Sequence, residues 1–81
     1  MKIELGKQPK KFMQKCTPEV YQKINSALDG LEDLKGDIIK MQGTENDYRL
    51  KTPPYRILFA WDKPTQKIKV FKIGTRGDVY K

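Results

Sequence analysis

The spacing of apolar residues changes character along the chain, from helical in the first half to strand-like in the second. Lys2 to Leu5 alternates polar and apolar positions, which predicts a short strand ended by Gly6. Pro9 suits the first turn of a helix, and Lys10 to Lys15, carrying Phe12 and Met13, predicts a short helix ending near Cys16. Thr17-Pro18-Glu19 is a second helix start: Thr17 as N-cap, Pro18 at the first helical position, and Glu19 on the positive end of the dipole. Val20, Ile24, Ala27, Leu28, Leu31 and Leu34 then recur at helical spacing, the apolar stripe of a helix laid on a sheet. Gly30 weakens that helix, which is expected to bend there or end near Leu34. Gly36 to Asn46 shows no period and reads as a connection, with a helical turn at Ile38–Met41.

From Tyr48 the period is two. Tyr48–Lys51 predicts a strand, and Thr52-Pro53-Pro54 must turn, because two prolines cannot donate to a ladder. In the next strand, Tyr55–Trp61, the side chains of Tyr55, Ile57, Phe59 and Trp61 share one face and those of Arg56, Leu58 and Ala60 the other. Asp62–Gln66 reads as a hairpin loop, and Lys67–Ile73 as a last strand with Gly74 at its end. The order β-α-α-β-β-β predicts an α+β fold: an N-terminal strand, two helices, then a three-stranded antiparallel sheet with the helices on one face.

Composition narrows the chemistry. With 81 residues the chain reads as a single domain, 1–81, whose small interior leaves no room for a large cofactor, and none is expected. One cysteine and no histidine exclude an intramolecular disulfide, a thiolate metal site and the commonest general base, so no metal is expected. Cys16 reads as an ordinary packed thiol. No run of about 18 apolar residues and no signal-peptide core occur, which makes the expected location cytoplasmic with no membrane partner. The net charge of +7 is uneven: residues 1–40 hold 8 basic and 6 acidic side chains, residues 41–81 hold 9 and 4. A basic half favours a polyanionic partner.

That charge is threaded through the strands. Arg49 and Lys51 lie two apart and project from one face, and Arg56 sits inside the most apolar strand. A hairpin across the prolines brings Arg49 or Lys51 near Arg56, an arrangement that destabilises a sheet unless solvent or an anion sits among the cations. Lys72, Arg76 and Lys81 extend the set, so Arg49, Lys51, Arg56, Lys72, Arg76 and Lys81 are the candidate RNA contacts. Tyr80 stands beside them, near the end of Gly74-Thr75-Arg76-Gly77-Asp78-Val79-Tyr80.

The succession YRL-K, YRILF and KIGTRGDVYK, in this order and spacing, resembles the RelE family of bacterial toxins, over nearly the whole chain. The resemblance implies a type II toxin–antitoxin toxin that cuts messenger RNA in the ribosomal A site by attack of a 2′-hydroxyl on the adjacent phosphate. It implies a cognate antitoxin, the 70S ribosome with its 16S rRNA, and mRNA as partners. It gives catalytic roles to Arg49, Lys51, Arg56, Arg76 and Tyr80, with Arg56 and Arg76 stabilising the transition state. Arg49 stands where lysine is common in the family, and the spacing from Arg76 to Tyr80 is compact. Guanidinium groups stay protonated, so proton transfer falls to Lys51 or Tyr80; stacking on a base is an equal alternative for Tyr80. Two other readings stay open: a non-nuclease on the same fold, such as a ParE-like gyrase inhibitor, and a plain RNA-binding module.

Overall fold

The computed structural model describes residues 2–43 and 45–75. Its elements are β1 (Lys2–Leu5), α1 (Lys7–Lys15), α2 (Pro18–Leu31), β2 (Asp37–Lys40), β3 (Asp47–Thr52), β4 (Tyr55–Asp62) and β5 (Lys67–Thr75). The fold is α+β, but the sheet departs from the three antiparallel strands expected. It is a five-stranded mixed sheet in the order β1-β5-β4-β3-β2.

Two strands make the difference. β1 joins the sheet, parallel to β5, with Ile3 opposite Ile68 and Leu5 opposite Val70. β2 forms in the segment expected to be a connection with a helical turn, and pairs antiparallel with β3, Ile38 opposite Leu50 and Ile39 opposite Arg49. Its adjacent isoleucines give no alternation to read, and it is the free edge of β3 that recruits them. Gly36 lets the chain into β2: its φ is +121°, and a Cβ there would stand 2.7 Å from Leu50 Cδ1.

α1 begins at Lys7, not Lys10, so Pro9 is buried in its first turn. α2 starts as its sequence predicts, with the Thr17 hydroxyl accepting from Val20 N–H at 3.3 Å. It runs through Gly30 and stops at Leu31. Leu34 N–H donates to Leu31 C=O and Lys35 N–H to Gly30 C=O, both at 2.9 Å, and Leu34 takes a φ of 55°. This is the bonding of a Schellman cap, with leucine where glycine is usual. A left-handed leucine costs about 1–2 kcal/mol, and packing of its side chain against the core offsets that.

Both helices lie on one face of the sheet. Ile24, Leu28 and Leu31 pack with Leu50, Ile57, Phe59, Ile68, Val70 and Ile73 as the buried core. At about 1.5–3 kcal/mol for each large apolar side chain fully buried, this cluster is the main stabilising element. Tyr48 stacks on Phe59 at 5.7 Å between ring centroids and meets Trp61 at 5.5 Å. The β3–β4 turn carries a cis peptide between Pro53 and Pro54. Between Leu58 and Phe59 the pairing with β5 slips by one residue. Phe71 is thereby the extra residue of a bulge, and this keeps both Val70 and Ile73 on the core face.

Candidate nucleic-acid interface

Strand alternation assigns the face away from the helices. With Leu50, Ile57 and Ile73 in the core, their neighbours Arg49, Lys51, Arg56, Leu58 and Lys72 project from the opposite side. Two cross-strand rows result. One runs Asp37, Lys51, Arg56, Gly74, and the next runs Ile39, Arg49, Leu58, Lys72.

The hydrogen-bond phase fixes how close these residues come. Ile73 N–H donates to Gln8 Oε1 and Gln8 Nε2 donates to Ile73 C=O, each at 2.9 Å. Ile73 therefore turns its main-chain groups away from β4. Trp61 N–H reaches Asn46 C=O on the β3 side at 2.8 Å, so the odd-numbered residues of β4 bond to β3. By alternation Lys51 and Arg56 form a non-hydrogen-bonded pair, in which the Cα atoms approach to about 4.5 Å and the side chains lie nearest. Arg49 and Lys72 are each diagonal to Arg56, at about 7–8 Å.

Four cationic side chains thus surround one small area: Lys51 exposed, and Arg49, Arg56 and Lys72 half-buried. Leu58, among them, is only 4% exposed although it lies outside the core cluster. Arg49 and Lys72 stand opposite it on the two neighbouring strands, where their stems can cover its apolar surface. Gly74 stands opposite Arg56 on β5 and contributes no side chain to that row. Among the described residues, the acidic side chains of this face are set apart from the cluster, Asp47 opposite Ala60, Asp62 opposite Lys67 and Glu4 opposite Lys69, save Asp37 opposite Lys51.

Of the residues singled out in the sequence, the structure brings Arg49, Lys51, Arg56 and Lys72 together. Arg76, Tyr80 and Lys81 lie outside the described residues. Thr75, which precedes Arg76, pairs with Tyr55, next to Arg56. Asp37 and Ile39 were not foreseen here, because the strand that carries them was not. Ile39, 45% exposed, lines with Lys40, Met41, Gln42 and Arg49 a cleft of about 340 Å³ at the border of the cluster. Cys16 is half-buried, its thiol donating to Met13 C=O at 3.5 Å. Among the described residues no group of three or more cysteine or carboxylate side chains is placed to hold a metal, and no helix is long and apolar enough to cross a membrane.

Such a face suits a chain of phosphates. Its charges are carried on strands, and two of the four are guanidinium groups able to grip non-bridging oxygens in pairs. No protein-family model matches the sequence, and no curated protein matches it. Solved structures do. The archaeal RelE–RelB complex from Pyrococcus horikoshii OT3 aligns with a TM-score of 0.77 and 28% identity, over 94% of this chain and 94% of that one. The RelB–RelE antitoxin–toxin complex from Methanococcus jannaschii aligns at 0.76 and 21%, over 95% and 94%. The isolated E. coli RelE toxin aligns at 0.77 and 19%, over 98% and 89%. Over nearly its whole length, the chain has the fold of the RelE toxins.

Proposed function

We propose that the protein is the toxin of a toxin–antitoxin pair and acts as a ribosome-dependent endoribonuclease on messenger RNA. The observation that carries this reading is the Lys51–Arg56 pair, set directly opposite one another on the sheet face away from the helices with Arg49 and Lys72 at its diagonals. In-line attack by a 2′-hydroxyl on its own phosphate gathers negative charge on the non-bridging oxygens. Arg56 stabilises that charge, with Arg76 completing the set, while Arg49 and Lys72 hold the flanking phosphates. Proton transfer belongs to Lys51 or Tyr80. Without histidine the intrinsic rate is low, and the ribosome supplies what the site lacks by holding the RNA in a reactive shape. The solved structures of related fold include RelE–RelB complexes, which favours a cognate antitoxin as the second partner.

The test is primer extension on translated messenger in a bacterial extract, alongside a gyrase supercoiling assay. Cuts within codons that disappear with Arg56→Ala support the nuclease. Inhibition of supercoiling with intact messenger supports the ParE-like alternative, and salt-sensitive RNA binding without cleavage supports a plain binding module.

A further inference from the structure

The outer edge of β5 is closed by two different devices. Along its first half β1 pairs with it, and the last contact of that ladder is Gly6 N–H to Val70 C=O at 2.7 Å. The chain then leaves the sheet to begin α1. Ile73, beyond the bulge, would face that edge with both main-chain groups open. The side chain of Gln8, second residue of α1, fills the place. Its amide donates to Ile73 C=O and accepts from Ile73 N–H, both at 2.9 Å, across 65 positions of sequence. A carboxamide carries one donor direction and one acceptor direction, as a peptide group does, so the side chain stands in for a strand residue.

The residues it holds are those the candidate site depends on. Ile73 lies between Lys72, of the cationic cluster, and Gly74, opposite Arg56. We infer that Gln8 is a positioning residue for the nuclease site: by clamping Ile73 it ties the end of β5 to α1, and so sets where Lys72 stands relative to Arg56. The hydrogen bonds through which Gln8 acts are those to the Ile73 main chain. Its kinetic consequence rests on the ribonuclease reading, whereas the clamp does not.

The experiment compares Gln8→Leu, which removes both bonds, and Gln8→Glu, whose ionised carboxylate keeps the acceptor and loses the donor, with wild type. Amide hydrogen exchange is read residue by residue, and single-turnover cleavage is measured on ribosome-bound messenger. In Gln8→Leu the Ile73 amide exchanges faster, by on the order of ten- to a hundredfold, while Ile57 and Phe59 keep their protection. The cleavage rate falls about tenfold at saturation, with the half-saturating ribosome concentration unchanged, and Gln8→Glu lies between the two. Unchanged exchange at Ile73, a uniform rise across the sheet, or full cleavage despite a freed Ile73 overturns the inference. If Arg56→Ala cleaves as wild type does, the nuclease reading falls instead, and the exchange profile alone decides whether the clamp exists.

Discussion

Replacing Lys51 with glutamate sets stability and function against each other. Lys51 faces Arg56 on one side and Asp37 on the other, and Arg49 lies two residues before it on the same face. At separations of about 5 Å to its cross-strand neighbours and about 7 Å to Arg49, each unit-charge pair is worth about 0.6–0.8 kcal/mol in a water-like dielectric. Reversing the charge turns two repulsions into attractions and one attraction into a repulsion. The net is a gain of about 1 kcal/mol at low ionic strength, or about 4–8 °C in melting temperature for a domain of this size. The assay is urea unfolding at about 10 mM salt and again at about 1 M, where the Debye length of about 3 Å removes the difference. Messenger cleavage by the same variant is lost. A Lys51→Glu protein that is less stable than wild type at low salt would refute the reasoning, because the cations would then not be straining the sheet.

Gly36→Ala forces a side chain onto a backbone at φ +121° and against Leu50, which is 2% exposed; unfolding experiments are expected to show a loss of about 2–3 kcal/mol, with β2 loosening first in hydrogen exchange. For binding of single-stranded RNA, Arg49→Ala and Lys72→Ala should each lower the slope of log K against log salt by about 0.7, whereas exposed Lys35, on the loop that joins α2 to β2, should leave it unchanged on replacement.

How much of this was legible in the sequence follows from which forces are local. The Thr17 cap, the α2 stripe and the alternation in β4 are each written within a few residues, and the hairpin across Pro53-Pro54 has its turn chemistry on its face. What was missed depends on partners far along the chain. Asp37–Lys40 becomes a strand because β3 offers an edge, and Lys2–Leu5 joins β5 across more than sixty residues. The Phe71 bulge has no marker such as glycine. Leu34 entering the left-handed region was hidden because its apolar side chain looked like one more turn of the stripe. In the candidate site the proximity of Lys51 to Arg56 could be anticipated from the hairpin, but not which of the two basic residues of β3 stands directly opposite. That depends on the register Thr52 to Tyr55, set by the turn. Gln8 carried no signal at all, since a surface-type glutamine in a lysine-rich helix gives no hint of a main-chain partner.

The most direct test of the central claim is cleavage of messenger held on the ribosome, wild type against Arg56→Ala, with folding of the variant verified by its unfolding curve. The account predicts cuts within translated codons by the wild type, and at least a hundredfold slower cleavage by the variant, the order expected for loss of a charge-stabilising group at the transition state. Cleavage by Arg56→Ala at the wild-type rate, or intact messenger in the presence of folded wild-type protein, would contradict it.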